Sequence, residues 1–246
     1  MRYFIEVSYK GTGYSGFQSQ KNANTIQAEV QKALKILFKQ DIELTGSSRT
    51  DAGVHAHQNY FHFDTADELS SHSIYNLNAI LPGAIAIRNL LNVDDEAHCR
   101  FDAISREYKY YIYRKKDPFL ADRAFFFPYK LDISLMQQAA DLLKDYNDFT
   151  SFSKRNTQVK SFLCDISKSL WSMEEECLVY NVKANRFLRG MVRALTATML
   201  KLGRGTININ EFRNIVVARD CSLANFAVPA HGLFLVNVSY AKGYFK

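Results

Sequence analysis

The chain has 246 residues, 47% of them hydrophobic, which supports one or two folded domains and excludes a disordered chain. A net charge of +6 and 13% aromatic residues suit a nucleic-acid partner, although a merely basic soluble protein has the same composition. The four cysteines form no CxxC pair, the chain does not open with a signal pattern, and no apolar run is long enough for a membrane span, so we expect a cytoplasmic protein with buried, reduced thiols.

The chain is predicted to begin with a strand and then a helix. Residues 2–10 alternate between two faces, as a strand does. Gly11 to Gly16 match GxGxxG, but a polar stretch follows them instead of a helix, so we interpret this segment as a flexible loop beside a site and not as a dinucleotide-binding turn. A helix is predicted from Asn24 as N-cap, with Gln27 completing a capping box.

A predicted strand at 42–44 leads into a loop of small residues at 46–56. The loop carries one carboxylate, Asp51, two residues after Arg49. An acid on a short loop between two strands is held by the sheet and is open to a ligand. A salt-bridged turn with Gly53 at positive φ explains the same residues, and spacing alone favours that second interpretation.

The order of predicted elements starts again after a hinge near 100–103. The first half continues with strands at 59–63 and 84–92 and a short helix at 74–80, and the second half has strands at 107–114, 162–168, 177–184 and 232–240 and helices at 132–144, 187–202 and 210–218. Such closely spaced strands pair antiparallel. We therefore predict an α+β fold of two halves, 1–102 and 103–246, with one sheet face free for a ligand.

Three arginines recur near the predicted helix at 187–202. Arg186, Arg189 and Arg193 are spaced i, i+3 and i+7, which places them on one helical face. Arg186 and Arg189 oppose the macrodipole at the helix start and fit phosphate contacts better than a stabilising role. Arg193, beside the apolar stripe, is a candidate partner that keeps Asp51 ionised, as is Arg49. A solvated basic face explains the three arginines equally well.

Two further groups of side chains are candidates for chemistry. Tyr108 begins a strand, and an exposed tyrosine can stack on a flipped base, although a buried tyrosine is the commoner case. His55, His57 and His62 lie near Asp51 in sequence, but no metalloenzyme motif includes them. We therefore expect no metal site.

Eight segments in the same order resemble the TruA family of tRNA pseudouridine synthases and together cover nearly the whole chain. They are residues 9–18, 49–56, 78–82, 98–103, 106–110, 148–152, 185–193 and 229–233. The resemblance implies two ferredoxin-like (RRM-like) halves with sheets joined across a central cleft. It also implies a homodimer that uses no cofactor and isomerises uridines 38, 39 and 40 in the anticodon stem-loop of tRNA.

The resemblance also implies roles for individual residues. Asp51 matches the catalytic nucleophile, Tyr108 the residue that stacks on the target base, Arg193 the partner of the aspartate, and Arg49 the residue that helps displace the base. The uracil N1–C1′ bond breaks and C5 then bonds to C1′. Attack of Asp51 at C1′, addition to C6 and removal of a sugar proton remain alternatives.

The chain departs from the family pattern at Ser48, at Phe17 and at the segment 57–59, which leaves the loop geometry and the preference among the three uridines open. Two other functions are alternatives. One is a catalytically silent RNA-binding protein, in which the Asp51, Tyr108 and Arg193 set is incidental. The other is a metal nuclease that uses His55, His57 and Asp51.

Overall fold

The computed structural model describes residues 1–155 and 159–245. Its strands and helices confirm the predicted α+β class. The strands are β1 (Arg2–Tyr9), β2 (Thr45–Gly46), β3 (His55–Asp64), β4 (Ile85–Val93), β5 (Ser105–Tyr113), β6 (Phe125–Phe126), β7 (Ile166–Glu174), β8 (Cys177–Ala184) and β9 (Leu233–Ser239), and the α-helices are α1 (Ile26–Phe38), α2 (Ser71–Ile80), α3 (Ile133–Leu142), α4 (Met191–Gly203) and α5 (Ile209–Val217). Among these described helices, none has the length and apolar character of a bilayer-spanning segment.

Contacts divide the chain into two compact units. The first comprises Met1–Ile104 and Phe234–Lys246, and the second comprises Ser105–Leu233. The division predicted from sequence placed the final strand in the second half. Most of β9 groups with the first unit instead, because it pairs with β3 and the residues after it pack against β1.

The first unit has a ferredoxin-like arrangement. Strand β1 pairs antiparallel with β3 on one side and with β4 on the other. The free edge of β3 is shared: β2 pairs antiparallel at His62 and Phe61, and β9 pairs parallel at His55 and Ala56. The spatial order β4-β1-β3-β2, with α1 and α2 as the two crossovers, is the ferredoxin-like order, with β2 reduced to two residues. The parallel pair of β9 departs from the purely antiparallel expectation.

Aromatic side chains after β9 cover part of the sheet face opposite the helices. Phe4 on β1 is fully buried, and its ring centroid lies 5.7 Å from Tyr240, 6.0 Å from Tyr244 and 5.9 Å from Phe245. The Tyr240 hydroxyl donates to the Cys99 carbonyl at 2.6 Å. At this end, therefore, the sheet face that was expected to be free is covered.

Helix α1 begins one residue later than predicted. Thr25 is its N-cap and accepts from the Ala28 N–H at 3.3 Å, so the predicted Asn24 cap is wrong. The Gln27 side chain does not turn back to complete a capping box. It accepts from the Ser19 N–H at 3.0 Å and ties the preceding loop to the helix.

The predicted strand at 42–44 is wrong, because the segment is hydrogen-bonded to side chains of α1. Side-chain amides of α1 occupy the carbonyls that a neighbouring strand would use: Gln27 donates to the Leu44 carbonyl at 2.8 Å and Gln31 to the Ile42 carbonyl at 3.3 Å. Ile42 and Leu44 are buried, as the alternating pattern indicates, but the segment packs on a helix. Only the two residues that follow pair as β2.

In the second unit β5, β8 and β7 lie side by side and pair antiparallel, and β6 adds a short parallel pair to β5. The predicted strand at 162–168 is shifted, because β7 begins at Ile166 and runs to Glu174. Glu174 pairs with Cys177, so a two-residue hairpin turn fixes where β7 ends. Glu175 in that turn has a φ of 50°, the left-handed value that such a hairpin requires.

The predicted helix at 187–202 starts late. Gly190 is the N-cap of α4 with a φ of 75°, a left-handed conformation that cannot lie inside a helix. Arg186 and Arg189 therefore precede the helix, and their predicted alignment with Arg193 on one helical face is wrong. Phe187 and Leu188 are apolar at helical spacing although they lie in the loop, so the apolar pattern predicted too early a start for the helix.

Candidate functional site

The loop between β2 and β3 is a tight turn around Asp51. The Asp51 carbonyl accepts from the Val54 N–H at 3.2 Å, and Gly53 has a φ of 80°, as predicted for this turn. Asp51 is half-buried, whereas Arg49 is exposed. A half-buried carboxylate on a fixed turn can meet a ligand while its main chain stays in place.

The segment that matched GxGxxG packs directly against this turn. The Gly11 N–H donates to Nδ1 of His55 at 3.1 Å, and the Phe17 N–H donates to the Thr50 carbonyl at 3.1 Å. A Cβ added at Gly11 would overlap the Val54 carbonyl oxygen, and one at Gly16 would lie 3.2 Å from the Thr50 carbonyl oxygen. The glycines therefore permit main chain to pack on main chain, and they serve the Asp51 turn and not a dinucleotide.

Buried polar side chains hold the turn from the strands beneath it. The Asn59 amide donates to the Ser48 carbonyl at 2.8 Å and to the Tyr9 hydroxyl at 3.2 Å. The Tyr9 hydroxyl in turn lies 2.8 Å from Oγ1 of Thr50. Tyr9 and Asn59 lie on predicted strands that flank the loop, but no sequence pattern indicates that they contact it.

The departures from the family pattern have structural partners. The Phe17 ring stacks on Phe61 with centroids 4.4 Å apart and covers Gly46, where a Cβ would overlap that ring. The Gln58 side chain accepts from the Val238 N–H of β9 at 3.0 Å. These side chains fill the space under the Asp51 turn and tie β3 to β9.

Tyr108 lies on β5 opposite Val182 and is buried, with only 8% of its surface exposed. Its ring meets that of Phe187 edge-on, with centroids 5.0 Å apart and planes at 83°. Phe187 belongs to the loop before α4, so the irregular segment that precedes the helix packs on Tyr108. The side chain is thus a fixed ring in the second unit, more covered than the exposed tyrosine considered from sequence.

Arg193 lies in the first turn of α4 and is half-buried. Its Nε and Nη2 donate to the Val228 carbonyl at 3.0 and 2.6 Å. The Tyr110 hydroxyl donates to the next carbonyl, that of Pro229, at 2.7 Å. Burial raises the pKa of Tyr110 well above its usual value, so its hydroxyl remains a donor at any ordinary pH. Arg193 and Tyr110 together fix the segment before β9.

Arg186 and Arg189 are exposed on the loop before α4. The Arg189 carbonyl accepts from the Lys154 N–H at 3.0 Å, and the Lys154 side chain lies against Gly190. Arg106 donates to the Asn185 carbonyl at 3.1 Å at the other end of the loop. Lys154 and Arg106 therefore contact the loop that carries the two predicted arginines and add to its positive charge. The sequence did not single them out because they come from distant positions in the chain.

The histidines near Asp51 have aromatic partners. His55 and His57 share a strand face, as predicted, and both rings stack on Phe234, at centroid distances of 4.5 and 5.2 Å. Within residues 1–155 and 159–245, the metal-ligating side chains that cluster in a group of three are His62, His98 and Cys99, with ligand atoms within 4.8 Å of one another.

Hydrogen bonds account for the cluster of His62, His98 and Cys99. Nδ1 of His62 accepts from the Cys99 N–H at 3.3 Å, and Sγ of Cys99 donates to the Thr45 carbonyl at 3.2 Å. Nδ1 of His98 accepts from the Arg100 N–H at 3.2 Å. The two imidazoles thus act as acceptors that fix the chain around Cys99. All four cysteines are free thiols, and three are buried as expected, whereas Cys221 is half-buried.

His62 makes the stability of the protein depend on pH. Burial, helped by the positive charges of His98 and Arg2, lowers the pKa of His62 from 6.5 to about 4. The unfolded chain therefore binds this proton first as the pH falls, and the stabilisation is lost between about pH 6.5 and pH 4. We expect the free energy of unfolding to fall between pH 7 and pH 5 by about 2 kcal/mol more in the wild type than in His62→Gln.

Urea unfolding at the two pH values measures this difference. His72 lies exposed on α2, so His72→Gln is the matched control and should keep the wild-type dependence on pH. Equal pH dependence of the wild type and His62→Gln would contradict the effect assigned to the buried imidazole.

Comparison with known proteins gives a consistent match. Residues 5–102 and 139–241 match the model of a family described as tRNA pseudouridine synthase. A protein of Parabacteroides distasonis named tRNA pseudouridine synthase A is 44% identical over 246 residues, covering 99% of this chain and 98% of that relative. Proteins with the same name from Bacteroides thetaiotaomicron and Staphylococcus aureus strain MRSA252 are 41% and 34% identical, covering 100% and 97% of this chain and 93% and 91% of their own lengths.

Proposed function

The chain belongs to the tRNA pseudouridine synthase family, and on that premise we propose that it isomerises uridine to pseudouridine at positions 38, 39 and 40 in the anticodon stem-loop of tRNA. The observation that carries the proposal is the match to relatives over nearly the whole chain, together with a family match that includes the turn around Asp51. The protein is an isomerase, and its reaction leaves the composition and oxidation state of the substrate unchanged: C5 loses a proton to water and N1 gains one, so the chemistry requires no cofactor.

Asp51 is the proposed nucleophile. A carboxylate attacks only when it is ionised, and it is most reactive when the bound base has excluded water. The half-buried position of Asp51 and the close packing of the first loop on its turn support this role. Arg193 is the proposed cation that keeps Asp51 charged during the reaction. Its guanidinium is held by the Val228 carbonyl, and this fixes the position of the charge.

The remaining site residues would bind the RNA. Extruding a stem uridine costs a few kcal/mol of stacking and pairing, which contacts to the protein must offset. Tyr108 is proposed to stack on the base and Arg49 to help displace it from the stem. The exposed Arg186 and Arg189, with Lys154 beside them, suit contacts to phosphates, whose charge attracts all three.

We propose that the protein acts in the cytoplasm as a homodimer. The net charge of +6 favours tRNA as the partner because condensed counterions are released when the RNA binds. Sedimentation at micromolar concentration tests the dimer and should give one species of twice the chain mass of 28.2 kDa.

Release of tritium from 5-tritiated uridine tests the activity, because C5 loses its hydrogen when it bonds to C1′. Three anticodon stem-loops, each with one labelled uridine at position 38, 39 or 40, should all release tritium to water. A stem-loop labelled only elsewhere is the control and should release none. RNA binding without tritium release from any substrate would favour the catalytically silent RNA-binding protein.

A further inference from the structure

Four residues around the Asp51 turn form a buried polar network, and none of them has a proposed part in the bond changes of the reaction. Ser48, Thr50 and Tyr9 have 7%, 8% and 5% of their surface exposed, and Asn59 is fully buried. The hydrogen bonds from Tyr9 and Asn59 reach Ser48 and Thr50, the residues on either side of Arg49. Thr50 is also the residue directly before Asp51. The network therefore fixes the main chain that carries the proposed nucleophile.

The orientation of the Asn59 amide follows from the inventory of donors. The Tyr60 N–H donates to Oδ1 of Asn59 at 2.9 Å, so the amide is oriented with its NH₂ group toward the turn. That NH₂ group donates both to the Ser48 carbonyl and to the Tyr9 hydroxyl. The Tyr9 hydroxyl also shares a hydrogen bond with Oγ1 of Thr50, 2.8 Å away, in which either oxygen can be the donor. The two side chains thus link the segment before Asp51 to β1 and β3.

We propose that Tyr9 and Asn59 are positioning residues for catalysis, which hold the segment 48–50 so that Asp51 meets the uridine at the reacting distance. This inference rests on the proposed function of Asp51. A displacement of about 1 Å in a catalytic group can reduce the rate about 100-fold while leaving the overall fold in place. The network holds the main chain of Arg49 and Asp51, whose proposed roles are to displace the base and to attack it, so it affects kcat more than the affinity for tRNA.

The chain offers a matched pair of tyrosines for the test. Tyr3 and Tyr9 both lie on β1 with 3% and 5% of their surface exposed, and each hydroxyl is hydrogen-bonded. The Tyr3 hydroxyl accepts from the Leu69 N–H at 3.2 Å, on the other end of the strand. Six residues of strand separate the two by about 20 Å. Tyr3→Phe and Tyr9→Phe therefore remove the same group at similar burial, but only Tyr9 touches the turn.

The experiment measures kcat under saturating anticodon stem-loop, the Kd for that RNA, and the midpoint of urea unfolding for the wild type and both variants. We expect Tyr9→Phe to reduce kcat about 10- to 100-fold with Kd within about twofold of the wild type. Tyr3→Phe should lower the unfolding midpoint by a similar amount and retain wild-type kcat. This separation of rate from stability would not follow from a merely structural role.

A second variant tests the network itself. Thr50→Val removes the hydroxyl that Tyr9 contacts, so the double variant with Tyr9→Phe should reduce kcat little more than either single change. Equal kcat in Tyr9→Phe and Tyr3→Phe, or a kcat loss that multiplies in the double variant, would overturn the inference while the wild type still makes product. No product from the wild type would instead overturn the proposed function and this inference with it.

Discussion

Asp51→Asn is expected to lower the rate of pseudouridine formation by at least about 10⁴-fold, because an amide cannot act as the nucleophile at neutral pH. The substitution is isosteric, and the main-chain hydrogen bond from Val54 to Asp51 does not involve the side chain. The turn and the affinity for tRNA should therefore survive. Single-turnover assays give the rate, and fluorescence anisotropy with a labelled stem-loop gives the affinity.

Asp67→Asn is the matched control for that measurement. Asp67 is an exposed carboxylate of the same unit, in the loop after β3, and its removal changes the net charge by the same amount. It should retain wild-type rate and affinity. If Asp51→Asn turned over at a rate comparable to that of Asp67→Asn, the assignment of the nucleophile would be wrong.

Gly11→Ala is expected to have the second-largest effect. Its new methyl group would overlap the Val54 carbonyl oxygen, and neither main-chain segment has room to move, since the Gly11 N–H is hydrogen-bonded to His55 on β3. We expect a loss of about 3 kcal/mol in the free energy of unfolding and at least about 100-fold in kcat. Urea unfolding and the tritium-release rate measure the two effects.

The control for Gly11→Ala is Gly83→Ala, in the loop between α2 and β4. A Cβ there meets no atom within 4 Å, so both the unfolding free energy and kcat should remain close to those of the wild type. An active, stable Gly11→Ala protein would show that the first loop does not support the Asp51 turn as closely as its packing indicates.

Local patterns in the sequence were enough to predict the elements with strong period. The alternation in β1, the apolar stripe of α1 and the turn residues around Gly53 each depend on neighbouring residues, and each was confirmed. The boundaries that failed depended on distant partners. The segment 42–44 alternates like a strand, yet the amides of Gln27 and Gln31 occupy its carbonyls, and the sequence pattern does not contain that information.

The candidate site shows the same limit. The role of Asp51 came from the resemblance to a known family, because spacing alone favours a salt-bridged turn. Tyr9 and Asn59 belong to the site only through hydrogen bonds to Thr50 and Ser48, which lie 41 and 11 residues away in sequence. The arginines before α4 illustrate the opposite error. Arg186, Arg189 and Arg193 have helical spacing in the sequence, but Gly190 adopts a left-handed conformation as the N-cap of α4. Arg186 and Arg189 therefore lie outside the helix. A glycine within an apolar period was the one signal that could have placed this boundary.

Mole-for-mole conversion of uridine is the most direct test of the central claim, that this protein rearranges a tRNA uridine with its own side chains. Purified wild-type protein is incubated with an anticodon stem-loop in buffer alone, and the nucleosides are then separated and counted. We predict that every uridine lost appears as pseudouridine, with one tritium released from C5 for each. An RNA that remains bound with its nucleoside composition unchanged would contradict the claim.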